Sequence, residues 1–268
     1  MVSADIDINR RFGGVSRLYG NAGLAKLQNA HVVVIGIGGV GSWAAEALAR
    51  NAVGKITLID LDNIAESNVN RQIHAIDGAF GQAKVSAMRE RILSINPGCK
   101  IHEIEDFIST ENIEKLLDFK CDVVIDCIDD TKAKLALAVF CKARKTPLIM
   151  AGSAGGRLDP TRIRAKDLAN VTGDKLLAKV RNQLRRDHQF PQASNVKKSA
   201  NFNIICVFSD EVVIKPANVQ KDEFCSLEND QNTKSITGLN CAGYGSSVCV
   251  TAPFGFTVAQ LAINLIVK

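Results

Sequence analysis

Eight cysteines occur in the chain (Cys99, Cys121, Cys127, Cys141, Cys206, Cys225, Cys241 and Cys249), yet no two of them form a C-x-x-C pair. That absence argues against a structural zinc ribbon and against a thioredoxin-like redox motif. The opening stretch, MVSADIDINRRFGG, lacks the apolar core of a signal peptide. Free thiols without an export signal predict a cytoplasmic protein. Internal repeats and low-complexity tracts are also missing, which excludes solenoid and linker-like architectures. Charge is absent from one long stretch, Gly243 to Val267, whose length alone would license a membrane span. Ser246, Ser247, Pro253, Gln260 and Asn264 interrupt it, and its helical part is expected to begin only near Thr251. A buried terminal helix is the expectation.

The sequence has 268 residues, 46% of them hydrophobic, enough for a sizeable core. A net charge of +5 is mildly basic, which suits an RNA or phosphate-rich partner but also describes many ordinary enzymes. From HVVVIG onward the first half alternates short apolar runs with amphipathic stretches. The runs HVVVIG, KITLID, KIHEIED, CDVVIDCID and PLIMAG read as strands; the stretches between them, from Val40 to Asn51, GQAKVSAMRERILSIN, TENIEKLLD and KAKLALAVFCKAR, read as helices. This rhythm predicts a doubly wound, mostly parallel α/β sheet ordered 3-2-1-4-5, with ligands bound beyond the carboxyl ends of the strands. After Gly152 a strand and turn (TRIRAKDLAN), a basic helix (GDKLLAKVRNQLRRDHQ), a strand (FNIICVFSDE), a polar loop over 216–242 and the terminal helix are expected. The whole is read as one domain, residues 1–268, with a nucleotide-binding core at 22–155 and an extension of the same sheet at 156–268.

Gly36, Gly38 and Gly41 satisfy G-x-G-x-x-G between a predicted strand and helix, the context in which glycines let backbone N–H groups approach phosphate. Asp60 ends the second strand, where an acid can hold ribose hydroxyls. The next loop, DLDNIAESNVNRQIH, gathers Asp62, Asn68, Asn70, Arg71 and Gln72, and an arginine there can pair with phosphate oxygens. Lys84 adds a second cation on the following helix. The fourth strand delivers Asp126, Asp129 and Asp130 to the same edge; one carboxylate beside a polyphosphate suits Mg²⁺, while Asp129 or Asp130 could equally cap the next helix.

Taken together, GIGGVGS, the acid-ended second strand, NVNRQ and Asp129 resemble the ThiF-like adenylyltransferase superfamily, which includes ubiquitin-activating enzymes and bacterial activators of sulfur-carrier proteins. The resemblance spans roughly residues 10 to 155 and implies attack of a carboxylate on the α-phosphate of Mg-ATP. It implies that Gly36, Gly38, Gly39 and Gly41 shape the phosphate loop and that Asp60 holds ribose. Asn68 and Arg71 would flank the phosphates, with Asp62 and Gln72 beside the nucleotide; Lys84 and Asp129 would serve phosphate and Mg²⁺. Homodimers are common in the superfamily, an N-terminal arginine reaching the partner's ATP; Arg11 and Arg17 both remain candidates.

Within it, RFGGVSRLYG, VIGIGGVGSWAAEALAR, DLDNIAESNVNRQIHA and AGSAGGRLDPTRIRAKDL are most similar to the subgroup that adenylates the carboxylate of a threonylcarbamoyl group on a tRNA adenosine. An internal nucleophile then displaces AMP and closes a ring with net loss of water. The subgroup needs no structural zinc and no catalytic cysteine, so Cys225 and Cys241 are expected to be unpaired thiols. A tRNA substrate would make the basic residues Arg162, Arg164, Lys166, Lys175, Lys179, Arg181, Arg185 and Arg186 contacts for its backbone. Two alternatives stay open: activation of a ubiquitin-like sulfur carrier's C-terminal glycine, or a dinucleotide-binding protein without adenylation. A sulfur-relay protein partner is also compatible with the resemblance.

Overall fold

The computed structural model describes residues 7–192, 200–214 and 244–268. The polar loop expected over 216–242, with Cys225 and Cys241, lies outside them. Among the described residues seven strands form one sheet: β1 (His31–Ile35), β2 (Lys55–Ile59), β3 (Lys100–Ile104), β4 (Val123–Asp126), β5 (Leu148–Ala151), β6 (Ile163–Asp167) and β7 (Ile204–Ser209). Their order is β3-β2-β1-β4-β5-β7-β6, so the expected 3-2-1-4-5 core is present and the second half extends the same sheet. All neighbours run parallel except β6, which pairs antiparallel with β7 as Ile163↔Ser209 to Asp167↔Ile205. As an edge strand, β6 turns Arg164 and Lys166 to solvent, which discourages pairing with a further chain.

Alternation along each central strand divides its side chains between two cores. Val32 and Val34 of β1 join Ile125 of β4 and Ile149 of β5 on one face; Val33 and Ile35 join Val124 and Met150 on the other. The first face is covered by α1 (Ile8–Asn29), α2 (Gly41–Arg50), α3 (Lys84–Ile95) and α7 (Val248–Val267). The opposite face is covered by α4 (Ile113–Leu116), α5 (Thr131–Arg144) and α6 (Lys175–Asp187). Because helices pack on both faces, the inner strands β1, β4, β5 and β7 read as nearly continuous apolar runs.

The terminal helix is a core element. Gly255 lets α7 lie directly on α2: a Cβ there would stand 2.5 Å from Val40 O and 2.7 Å from Trp43 Cβ. Nine of its residues are buried, while Cys249, Phe256, Gln260 and Asn264 form an outer stripe. It starts at Val248 rather than near Thr251, because Ser247 caps it by accepting from Cys249 N at 3.2 Å. Sequence periodicity gives no sign of α1, which carries Gly13, Gly14, Gly20 and Gly23 and breaks helical geometry at Phe12 and at Gly20 (φ 76°). Asp7 starts α1 by accepting from Arg10 N at 2.9 Å, and Lys26 near its end donates to Val267 O at 2.9 Å, tying both terminal helices together.

Candidate nucleotide and acyl-activation site

The carboxyl ends of β1, β2 and β4 share the sheet edge where the strand order predicts a ligand crevice. Leaving β1, the chain turns at Gly36 with φ 83°; a Cβ there would sit 3.0 Å from the Cys127 carbonyl. Gly41 is more constrained, since its Cβ would lie 1.8 Å from Gly36 O. Gly39 runs under Arg71, whose Cγ would be 3.2 Å from an added Cβ. Gly38 meets nothing nearer than Gln72 Nε2, at 3.9 Å. Two of the glycines are thus demanded by the fold, whereas Gly38 leaves room on the open side of the loop. No side chain caps α2 at Val40, so the positive end of the helix dipole faces the crevice.

Asp60, directly after β2, keeps 10% of its side chain exposed and accepts from Ile37 N and from Asp62 N (2.9 Å). Burial raises its carboxyl above the usual carboxylate range, and Lys84 opposes that shift. Lys84 Nζ stands 2.6 Å from Asp62 Oδ2 and 3.9 Å from Asp60 Oδ1. The cation expected on the phosphates is therefore seated on two carboxylates in this structure.

The NVNRQ segment is organised by its own amides. Asn68 Oδ1 accepts from Ala65 N at 3.1 Å, while its carbonyl accepts from Gln72 N at 2.9 Å and Arg71 N at 3.1 Å. Asn70 Nδ2 donates to Ser246 O at 2.8 Å, and Asn70 O accepts from Val248 N at 3.0 Å, fastening the loop to the start of α7. Arg71 Nη1 donates to Ser67 O (2.6 Å) and Asn70 Oδ1 (2.9 Å), and Arg71 O accepts from Trp43 Nε1 at 2.9 Å. Burial draws the guanidinium below its ordinary value while the nearby Asp129 raises it. Gln72 is buried with Oε1 unpartnered, beside the glycine loop.

Asp130 is the helix cap: it accepts from Ala133 N at 2.8 Å, which leaves the half-buried Asp129 to face Arg71. Asp126 is wholly buried and pairs with Lys134, also wholly buried. Neither Lys134 nor His74 is legible as a site residue from the motif. Lys134 carries a signal, because it shares the buried stripe of α5 with Leu137, Ala138 and Cys141. His74 carries none; it is 3% exposed, neither ring nitrogen is partnered, and burial with the charges of Lys84 and Arg91 lowers its pKa to about 4.

Burial pushes the Cys121 thiol up to about 11 and those of Cys99 and Cys141 up to about 12, so none of these is a thiolate at neutral pH. The basic residues of the second half divide. Arg181 donates to Val171 O, and Arg185 donates to Pro191 O at 3.1 Å while lying over Phe202; both hold local structure. Arg186 pairs with Asp187 at 2.7 Å, and Asp210 receives Arg162 at 2.8 Å and Arg164 at 3.4 Å. Lys166, Lys175 and Lys179 are exposed. Of the two N-terminal candidates, Arg11 donates to Ile95 O at 2.6 Å, and Arg17 is exposed.

The pattern of the ThiF family matches residues 11–268. A tRNA threonylcarbamoyladenosine dehydratase of Haemophilus influenzae is 46% identical over 269 residues, covering 100% of this chain and 97% of its own. The protein of that name from Escherichia coli is 42% identical over 257 residues, covering 95% and 92%. A crystal structure of the E. coli tRNA N6-threonylcarbamoyladenosine dehydratase in complex with ATP superposes with a TM-score of 0.83 at 39% identity, over 99% of this chain and 97% of that one.

Proposed function

The chain belongs to the ThiF family, and from that premise we propose that it is an ATP-dependent dehydratase of threonylcarbamoyl-modified tRNA. The observation that carries the reading is the meeting of the glycine loop, Arg71 and Asp129 at the carboxyl ends of β1 and β4, in a chain similar along nearly its whole length to dehydratases of that substrate. Residues 1–268 act as one adenylation domain, since β7 and β6 continue the sheet of the nucleotide-binding core.

The threonylcarbamoyl carboxylate attacks the α-phosphate of ATP, forming an acyl-adenylate and releasing pyrophosphate. A nucleophile within the same modified group then attacks the acyl carbon and AMP leaves, closing the ring. Hydroxide is a poor leaving group and AMP a good one, and the attacking atom is already tethered, so ring closure needs orientation more than force. Asp60 accepts from the ribose hydroxyls, and backbone N–H groups of the glycine loop hold phosphate at the start of α2. Arg71 lies over that loop within electrostatic reach of Asp129 and opposes the charge that builds on the transferred phosphate.

Asp129 is the residue that would hold Mg²⁺ brought with ATP. Among the described residues no three histidine, cysteine or acidic side chains converge, so a cage of protein ligands is absent there. A single carboxylate, Asp129, together with phosphate oxygens fits the way this ion is held. When bound, it neutralises phosphate charge. Lys84, released from Asp62 by a nucleotide's own charge, is the second phosphate cation. The tRNA backbone lies along Lys166, Lys175 and Lys179 with Arg162, Arg164 and Arg186. The protein works as a cytoplasmic homodimer, with Arg17 the N-terminal arginine that reaches the partner's ATP; a sulfur-relay protein is a further partner.

The test is the dependence of AMP and pyrophosphate formation on substrate. Stimulation by threonylcarbamoyl-modified tRNA and none by unmodified tRNA is expected. Stimulation instead by a ubiquitin-like sulfur carrier would transfer the same site to the alternative reading.

A further inference from the structure

The turn that carries Asp129 rests on a buried ion pair for which neither nucleotide binding nor ring closure supplies a direct use. Lys134 and Asp126 are both 0% exposed. Lys134 Nζ lies 3.1 Å from Asp126 Oδ2 and donates to Ala151 O at 2.8 Å. The other Asp126 oxygen accepts from Ile128 N at 3.0 Å. A buried pair of this kind carries a desolvation cost that well-packed apolar residues of equal volume avoid, so bulk stability is a poor account of it. Its geometry, by contrast, is specific.

Three loops of the site meet at this pair. Asp126 is the last residue of β4, opposite Ile35 of β1 and Met150 of β5 in the sheet. Its bond to Ile128 N closes the turn that follows, and Cys127 N donates to Ile35 O at 2.8 Å. The outer side of that turn is the floor of the glycine loop: a Cβ on Gly36 would meet the Cys127 carbonyl at 3.0 Å and Ile128 N at 3.1 Å. One residue later comes Asp129, and the next, Asp130, is fixed as the cap of α5. Lys134 stands one helical turn beyond and reaches back beneath the turn. Its bond to Ala151 O joins the end of β5, from which Gly152 and Ser153 continue to the start of α6, where Ser153 N donates to Asp174 Oδ2 at 2.8 Å.

We infer that the Lys134–Asp126 pair is a positioning device, which holds the 126–129 turn against the glycine loop so that the Asp129 carboxylate is set for phosphate-bound Mg²⁺. The inference rests on the role proposed for Asp129 and adds two residues that touch neither substrate nor metal. Loss of the pair leaves the nucleotide its ribose and glycine-loop contacts but loosens Asp129.

Binding of ATP to the full-length protein, measured calorimetrically with and without Mg²⁺, reads this without requiring turnover. The variant is Asp126→Asn with Lys134→Met, which removes both charges at nearly constant volume. Metal-free ATP affinity is expected to stay within about threefold of wild type. The tightening that Mg²⁺ brings is expected to fall by about 10-fold to 100-fold, the usual range for groups that orient a metal ligand. Wild-type Mg²⁺ tightening retained in the folded double variant, with or without a lower melting temperature, would make the pair a purely structural feature and overturn the inference. No Mg²⁺ effect on ATP binding in the wild type would overturn it too. If the double variant does not fold, Lys134→Gln, which keeps a donor for Ala151, is judged by the same two criteria. A wild type that binds Mg-ATP but dehydrates no modified tRNA would count against the proposed reaction, while the binding comparison would still decide the role of the pair.

Discussion

Gly41→Ala should damage the site through the backbone alone. The added methyl would arrive 1.8 Å from Gly36 O, and the loop must retreat by roughly 1.6 Å to restore the 3.4 Å of ordinary contact. Gly36 cannot simply absorb that movement, because its own face already lies against the Cys127 carbonyl. The displacement therefore reaches the N–H groups that would hold phosphate. A misplacement of about 1 Å at a reacting centre costs on the order of 100-fold, which is about 2.7 kcal/mol of transition-state stabilisation. Gly38→Ala is the matched control. Its methyl meets only Gln72 Nε2, at 3.9 Å, so the folded protein should accept it with an unchanged or slightly raised melting temperature. ATP affinity should nonetheless fall, since the methyl occupies the side of the loop left open for phosphate. The assay is AMP formation on threonylcarbamoyl-modified tRNA, paired with thermal unfolding. Gly41→Ala within threefold of wild-type turnover would refute the loop geometry; Gly38→Ala with wild-type ATP affinity would refute the placement of the phosphates.

Arg71→Ala and Asp129→Ala should each abolish adenylation, read as pyrophosphate release, while circular dichroism stays near wild type and melting falls modestly for Arg71→Ala, which loses its bonds to Ser67 O and Asn70 Oδ1; activity retained in both would remove the site assignment. His74 is held neutral with a pKa of about 4 against 6.5 in the unfolded chain. Its contribution is therefore fully present above 6.5 and is lost as pH falls toward 4, by up to about 3 kcal/mol. Urea unfolding of His74→Phe across that window should show a shallower loss than wild type, and parallel pH profiles would contradict the burial argument. Replacing Lys166, Lys175 and Lys179 by alanine should weaken tRNA binding and flatten its salt dependence by about one unit of slope per lost phosphate contact. Arg181→Ala should instead lower the melting temperature, because that side chain is bound to Val171 O; an unchanged salt slope in the triple-lysine variant would leave this face merely solvated.

What could be read from the amino-acid sequence follows from which forces are local. Strands β1, β2, β4 and β5 are apolar runs with both faces covered, β3 is a half-exposed edge strand of mixed residues, and the order of all five follows from right-handed crossovers, so these elements were legible. The candidate site could be proposed from the sequence because its residues cluster in three short segments at strand ends. The placement of β7 between β5 and β6 was not legible, since it depends on a long-range antiparallel pairing onto a strand, IRAKD, whose outward residues are charged or small. The glycines of α1 hide it, because that helix is secured by packing against α7 and by Lys26 rather than by its own periodicity. Individual partners were the least legible. Lys84 and Arg71 stand out in the sequence as candidate phosphate cations, but only the structure shows Lys84 seated on Asp60 and Asp62.

The central claim is dehydration of a tRNA-borne carboxylate. The most direct measurement incubates the protein with Mg-ATP and threonylcarbamoyl-modified tRNA, digests the RNA and determines the mass of the modified nucleoside. Loss of one water is expected, with one AMP formed for each nucleoside converted. An unchanged mass alongside intact ATP binding would contradict it.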